Sequence, residues 1–160
     1  NRVGLDNWVN VYRGDLGIAL SDTFTTDVFI HSFDKKFAKL FDGVRHDSGD
    51  PLVFADKMIA HYRRYNIDPL SKTIIFSDTL TPDLVRTIAQ YCRGKIGMSF
   101  GIGTNFTNDV GLEPLNMVIK MSDVFTEGTS WTPTVKLSDS EGKYTGDPHA
   151  IFLAKSILGI

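Results

Sequence analysis

Residues 41–51 read Phe41-Asp42-Gly43-Val44-Arg45-His46-Asp47-Ser48-Gly49-Asp50-Pro51. The apolar beginning of this stretch is typical of a short strand, and its polar middle is typical of a loop. Pro51 is typical of the first turn of a helix, where a missing N–H costs nothing. Apolar residues recur at helical spacing to about Tyr65, so the stretch predicts one strand–loop–helix unit with a charged loop.

The same succession recurs along most of the chain. Strands are predicted at Leu16–Leu20, Thr73–Phe76 and Lys95–Phe100. Helices are predicted from Thr25 or Thr26 to about Leu40 and, opened by Thr81-Pro82-Asp83, to about Cys92. After about residue 105 we expect two strands and a last helix, at 116–121, 134–137 and 150–158, with a polar loop at 126–130 between the strands.

These patterns predict the α/β class. The strands are continuous apolar runs, as in parallel sheets that are buried on both faces. Strand–helix alternation indicates βα units with right-handed crossovers. Two architectures fit, an open doubly wound sheet and part of a (β/α) barrel.

Composition excludes several classes of function. The chain has 160 residues, is 42% hydrophobic and carries a formal net charge of -2. It can therefore form one folded domain, and its slightly acidic balance gives no general attraction to nucleic acid. Its single cysteine, Cys92, cannot form an internal disulfide or a thiolate zinc site. Since no apolar run approaches the roughly 20 residues of a membrane span, we expect no membrane partner.

Polar residues follow each strand of the predicted βα units. They are Ser21-Asp22, Arg45 to Asp47, Ser77-Asp78 and Ser99 to Thr104. Parallel strands bring such residues to one edge of a sheet, where α/β proteins bind ligands. Helix caps alone could explain one such cluster, but four clusters favour a binding site.

The residue types suggest a phosphorylated sugar. Gly101, Gly103 and Thr104 could let backbone N–H groups approach a phosphate, although Gly-x-Gly alone is a weak motif. Asp78, with Ser77 beside it, could accept hydrogen bonds from ribose hydroxyls.

Two further groups could serve the reacting centre. Arg45 offers a planar fork for a carboxylate or pyrophosphate. Asp47 and Asp22 could orient a ribose or organise Mg²⁺ that is bound mainly by substrate phosphates. His46 is expected to pack behind the site, because strand alternation directs it away from its neighbours.

The stretch from Gly43 to Pro51 resembles a signature of the nicotinate phosphoribosyltransferase family. The resemblance extends over nearly the whole chain through four more stretches in the family's order and spacing. These are Leu16-Gly17-Ile18-Ala19-Leu20-Ser21-Asp22-Thr23, Lys72-Thr73-Ile74-Ile75-Phe76-Ser77-Asp78, Ser99-Phe100-Gly101-Ile102-Gly103-Thr104 and Lys136-Leu137-Ser138-Asp139-Ser140.

The resemblance implies a type II phosphoribosyltransferase fold, an irregular α/β barrel joined to a smaller sandwich domain. On that reading, residues 1–160 are the C-terminal half of the barrel, a fragment of a longer chain without its N-terminal part. We expect this piece alone to be inactive and poorly soluble, because half a barrel exposes apolar surface.

The reaction implied by the resemblance joins nicotinate to phosphoribosyl pyrophosphate in NAD salvage, with ATP as co-substrate and Mg²⁺ as cofactor. Carried over, Arg45 and Asp47 would contact the pyridine and ribose, and Asp22 would lie near pyrophosphate and Mg²⁺. Ser77 and Asp78 would lie near the ribose, and Gly101, Gly103 and Thr104 around the 5′-phosphate. The resemblance also implies a cytoplasmic homodimer that binds only small-molecule substrates.

Two features of the family are missing from the sequence. No His-Glu-Trp segment with the phosphorylated histidine occurs, nor do the aromatic residues that sandwich the pyridine ring. Three alternatives remain open: a nicotinamide-specific relative, a non-catalytic nucleotide- or phosphate-binding module, and a sugar-phosphate barrel enzyme that shares only the pattern of polar residues.

Overall fold

The computed structural model describes residues 1–13, 15–115, 117–140 and 142–160. Its centre is a parallel four-stranded sheet in the order β1-β2-β3-β4. The strands are β1 (Ile18–Leu20), β2 (Gly43–His46), β3 (Thr73–Phe76) and β4 (Gly97–Phe100). The predicted parallel α/β sheet is therefore confirmed.

Helices follow or precede each strand, and side chains fix where most of them begin. In chain order they are α1 (Arg2–Tyr12), α2 (Thr26–Ser32), α3 (Lys35–Leu40), α4 (Pro51–Arg64), α5 (Pro82–Cys92), α6 (Thr104–Thr107) and α7 (Pro148–Leu158), with a 3₁₀ turn at Pro69–Ser71. Asp50 caps α4 by accepting from the Leu52 and Val53 N–H groups at 2.8 and 3.0 Å, and proline occupies the first turn. The predicted beginnings of α4 and α5 are confirmed.

The expected single helix to Leu40 is wrong, because α2 and α3 are separate. Asp34 follows α2, and its carboxylate accepts from the Lys36 N–H at 2.9 Å and the Phe37 N–H at 3.4 Å. A new helix therefore starts at Lys35 and turns the chain. The sequence reading also contained no helix at α1, whose Trp8 indole N–H donates to Leu16 O at 3.1 Å.

The strands expected after residue 105 lie elsewhere. Residues 117–121 form no strand, and residue 116 lies outside the described residues. A short antiparallel pair instead joins β5 (Asp123–Val124) to β6 (Thr132–Pro133) around the predicted polar loop. In the range 134–137, Lys136 forms only an isolated bridge with Thr145. The final helix is confirmed and is capped by Asp147.

The hydrophobic core lies between the sheet and helices α2 to α5. Four phenylalanines on or directly after α2 and α3 contact one another in stacked, tilted and edge-on pairs, with ring centroids 4.7 to 6.5 Å apart, namely Phe29, Phe33, Phe37 and Phe41. Val44, Ile74 and Phe76 of the central strands are fully buried in the same hydrophobic cluster. Aromatic pairs at these distances add to area burial, so this core anchors the sheet that carries the polar loops.

Large apolar side chains elsewhere are exposed, mainly in residues 106–125 and on α7. No helix among the described residues is both long and apolar enough to cross a membrane.

Candidate active site

Arg45, Asp47 and Ser77 form one hydrogen-bonded group at the carboxyl ends of β2 and β3. The Arg45 Nε–H donates to Ser77 Oγ at 2.8 Å, and its Nη2 donates to Asp47 Oδ1 at 3.2 Å. The Ser77 hydroxyl lies 3.0 Å from both Asp47 Oδ1 and His46 O. Two of the five guanidinium donors are used by these neighbours, which orients the side chain and leaves other donors for a ligand.

The sheet register explains this meeting. Arg45 lies opposite Ile75 in the parallel ladder, so Ser77 emerges from β3 beside it. The Ser21 hydroxyl, which follows β1, donates to Arg45 O at 2.7 Å. Three of the predicted polar clusters are therefore joined by hydrogen bonds. The expectation that Arg45 and His46 follow the strand is wrong, because both residues pair with β3 as the last two residues of β2.

Asp22 lies at the same edge but is buried. Its side chain is 2% exposed, and Oδ2 accepts from Lys136 Nζ at 3.0 Å. No described residue donates to its other oxygen, Oδ1. A buried carboxylate oxygen without a donor is costly, which makes it a place where a ligand or ion could bind.

Asp78 is, with Asp47, one of the two carboxylates of the predicted ribose site. Its Oδ1 accepts from Lys143 Nζ and from the Thr79 hydroxyl, each at 2.9 Å. The Asp78 side chain is 19% exposed, so the carboxylate remains within reach of a ligand.

The predicted phosphate-binding residues follow β4. The Gly101 N–H donates to Phe76 O at 2.8 Å, so it is not available to a phosphate in this structure. Gly103 precedes α6, and Thr104 is the first residue of that four-residue helix. A phosphate contact here would therefore depend on Gly103 and Thr104.

His46 lies behind the site, as strand alternation predicts. It is 1% exposed and packs on the rings of Phe54 and Phe76, with centroids 5.0 and 5.7 Å away. Its Nε2 lies 3.2 Å from Gly49 O. Burial lowers the pKa of His46, since the charged imidazolium would lose its hydration there.

Three residues at this edge were not predicted from the sequence. They are Lys136, Asp139 and Lys143; Lys136 pairs with Asp22 across 114 residues, and Lys143 pairs with Asp78 across 65 residues. The sequence shows that polar residues cluster at 136–143. It contains no spacing pattern that would indicate which strand this distant segment contacts. Among the described residues, no group of three or more His, Cys, Asp or Glu could hold a metal ion by itself.

The fold and the site define an α/β protein with a polar, phosphate-compatible ligand site at the carboxyl edge of a parallel sheet. A sequence model of the nicotinate phosphoribosyltransferase (NAPRTase) family matches residues 1–158. The chain belongs to the nicotinate phosphoribosyltransferase family.

Individual relatives agree with this assignment. The chain is 64% identical over 160 residues to a nicotinate phosphoribosyltransferase of Chromohalobacter salexigens, covering all of this chain and 41% of the relative. It is 53% identical to one of Desulforapulum autotrophicum, covering 92% of this chain and 38% of the relative. The chain thus spans about two fifths of the length of these curated relatives.

Solved structures show the same relation. A crystal structure of nicotinate phosphoribosyltransferase from Porphyromonas gingivalis matches with a TM-score of 0.93 and 52% identity, covering 99% of this chain and 41% of that one. One from Vibrio cholerae matches with a TM-score of 0.90 and 38% identity, covering 99% and 39%. The parallel sheet and its helices are accordingly part of the type II phosphoribosyltransferase fold.

Proposed function

We propose that this chain supplies part of an active site that joins nicotinate to phosphoribosyl pyrophosphate, giving nicotinate mononucleotide and pyrophosphate. The observation that carries the proposal is the preorganised group of Arg45, Asp47 and Ser77 in a chain that matches the family over nearly all its length.

The chemistry suits these side chains. The nicotinate ring nitrogen forms a bond to the anomeric carbon, while the bond from that carbon to pyrophosphate breaks and its electron pair leaves with the pyrophosphate oxygen. Positive charge develops on the ribosyl ring, and the Asp47 carboxylate would stabilise it electrostatically. No proton has to move, so catalysis depends mainly on orientation.

Arg45 would supply the orientation on the pyridine and pyrophosphate side. Its guanidinium is held by Ser77 and Asp47, and its remaining donors can pair with a carboxylate or a phosphate. A fork that is already oriented loses less side-chain entropy on binding than a free arginine would.

Ribose and phosphate contacts complete the proposal. Asp78 would accept from ribose hydroxyls, because one of its oxygens is held by Lys143 and Thr79 while the side chain stays partly exposed. Gly103 and Thr104 would approach the 5′-phosphate.

The described residues offer Mg²⁺ one carboxylate ligand and not a complete coordination shell. The described residues contain no metal cage, but Asp22 Oδ1 is buried and lacks a donor. Asp22 would therefore hold an ion that is bound mainly by the substrate pyrophosphate. Such an ion would neutralise charge on the leaving group.

The proposal extends to features that the resemblance alone supports. These are coupling to ATP hydrolysis through a phosphorylated histidine of the family's His-Glu-Trp segment, a homodimeric assembly, and a cytoplasmic location in NAD salvage.

The test uses the complete protein in steady-state assays of pyrophosphate release with nicotinate or nicotinamide as acceptor. We expect nicotinate to be preferred. Arg45→Ala should lower kcat/KM by about 100-fold, equivalent to roughly 3 kcal/mol of lost charge-assisted hydrogen bonds, with little change in Tm. Arg86→Ala is the matched control, because Arg86 pairs with Asp83 on the exposed face of α5.

Three results would contradict the proposal or its residue assignment. Preference for nicotinamide would identify the nicotinamide-specific alternative. Binding of phosphoribosyl pyrophosphate without turnover would identify a non-catalytic module. Near-normal turnover of Arg45→Ala would remove Arg45 from the reacting centre.

A further inference from the structure

Residues 136–140, Lys-Leu-Ser-Asp-Ser, form a return segment that crosses the carboxyl ends of β1 and β2. The Leu137 N–H donates to Thr23 O at 3.0 Å, which ties the segment to the loop after β1. Leu137 and Ser138 are buried, at 0% and 2% exposure. The segment is therefore packed against the edge of the sheet.

Asp139 makes several hydrogen bonds to one residue, Thr26. Its carboxylate oxygens each lie 3.1 Å from the Thr26 N–H, and Oδ2 also accepts from the Thr26 hydroxyl. Thr26 is the first residue of α2, and the local cap, Thr25, uses its side chain on the Val28 N–H. Asp139 thus satisfies a helix-terminal donor from 113 residues away.

The segment also holds the turn that follows Asp47. The Asp139 N–H donates to the Ser48 hydroxyl at 3.4 Å, and the Gly49 N–H donates to Ser140 Oγ at 3.3 Å. A Cβ built on Gly49 would lie 3.2 Å from the Asp139 Cβ, so the two residues are in close contact. Asp139 therefore lies between the loop that bears Asp22 and the loop that bears Asp47.

We infer that Asp139 is a positioning residue for the reaction. Its bonds to Thr26 fix the return segment so that Lys136, three residues earlier, meets the Asp22 carboxylate, and so that Ser140 meets the Gly49 turn. Asp139 acts through these neighbours and does not touch substrate. The inference rests on the proposed function, because the proposed function places the loop that bears Asp22 near the pyrophosphate and the loop that bears Asp47 near the ribose.

Substitutions of Asp139 and Thr26 distinguish the effect of losing the hydrogen bonds from the effect of changing side-chain size. Asp139→Asn keeps the size of the side chain but loses the charge and one acceptor. Thr26→Val removes the hydroxyl, whereas Thr26→Ser restores it with only a methyl group missing. Asp83→Asn is the matched control, because Asp83 forms an exposed pair on α5.

Steady-state kinetics of the complete protein provide the first readout. Asp139→Asn and Thr26→Val should each lower kcat/KM for phosphoribosyl pyrophosphate about 10-fold, and Thr26→Ser and Asp83→Asn should stay within about twofold of wild type. The double variant should be no worse than the more damaging single variant, because both remove one interaction. The content of active sites, from single-turnover amplitudes, should be unchanged.

Hydrogen exchange gives a second readout that does not depend on turnover. In Asp139→Asn the amides of Thr26 and Gly49 should exchange faster, while those of α5 should not change. If wild type shows no nicotinate-dependent turnover, the proposed function fails and exchange still tests the contact. Unchanged exchange would overturn the inference, as would wild-type kinetics in both Asp139→Asn and Thr26→Val. If Asp139→Asn fails to fold, the comparison of kcat/KM between Thr26→Val and Thr26→Ser tests the inference instead.

Discussion

Replacing Lys136 by methionine would leave the Asp22 carboxylate buried without its charged partner. The Lys136 Nζ lies 3.0 Å from Asp22 Oδ2, and no described residue donates to the other carboxylate oxygen, Oδ1. The two side chains differ in exposure, at 34% for Lys136 and 2% for Asp22. The pair is thus asymmetric, and the two single substitutions should have different costs.

The magnitude follows from this asymmetry. At 3.0 Å two unit charges attract by about 5 kcal/mol at an effective dielectric constant near 20, before desolvation is counted. Removing one partner of a fully buried pair typically costs about 3–5 kcal/mol. Water reaches one side of Lys136, so we expect Lys136→Met to cost about 2 kcal/mol. Asp22→Asn should cost about 1 kcal/mol, because the lysine left behind can turn to solvent.

Thermal unfolding of the complete protein measures the difference. Tm should fall by about 2 °C in Lys136→Met and about 1 °C in Asp22→Asn, and the double variant should recover part of the larger loss. Arg86→Met in the exposed Arg86–Asp83 pair is the control and should shift Tm by less than about 0.5 °C. The reasoning is refuted if Asp22→Asn is the more damaging change, or if the double variant equals the sum of the single ones.

Two further predictions concern the turn and the buried histidines. Gly49→Ala should lower Tm by more than Gly94→Ala does, because both glycines have positive φ (80° and 72°) but only at Gly49 does a neighbour crowd the added methyl group; equal shifts in thermal unfolding would exclude the crowding. Burial lowers the pKa of both His46 and His61 from 6.5, so the unfolded chain takes up protons that the folded chain does not, and stability should fall as pH drops below about 6.5. Tm measured from pH 7.5 to 5.5 should decline less in the double His→Gln variant, with exposed His31→Gln as the control; a Tm that does not decline in the wild type would contradict this.

Local sequence chemistry was sufficient for the βα units. Asp50-Pro51 and Thr81-Pro82 mark helix starts through side-chain caps and a fixed φ, and these effects need no distant partner. The same kind of cap at Asp34 begins α3, but apolar residues continue at helical spacing across it, so the spacing alone predicts one helix where the structure has two. Apolar runs such as Thr73–Phe76 predicted the strands equally well.

Beyond residue 105 the sequence was a poorer guide. Residues 117–121 form an apolar run like those of the sheet, yet they pair with no strand among the described residues. Strand formation depends on a partner that supplies the ladder of hydrogen bonds, and an apolar run does not encode where that partner is.

The sequence by itself determined the α/β class, the parallel sheet, and the placement of Asp47, Ser77 and Asp78 after consecutive strands, whereas Arg45 lies inside β2. It could do so because strand–helix alternation and helix caps are visible in local sequence, and parallel strands bring their carboxyl ends to one edge. Only the tertiary structure decided that residues 136–143 return to that edge, where Lys136 pairs with Asp22, Asp139 with Thr26 and Lys143 with Asp78. Contacts across 65 to 114 residues depend on how the whole chain packs, and no periodicity or spacing in the sequence specifies them.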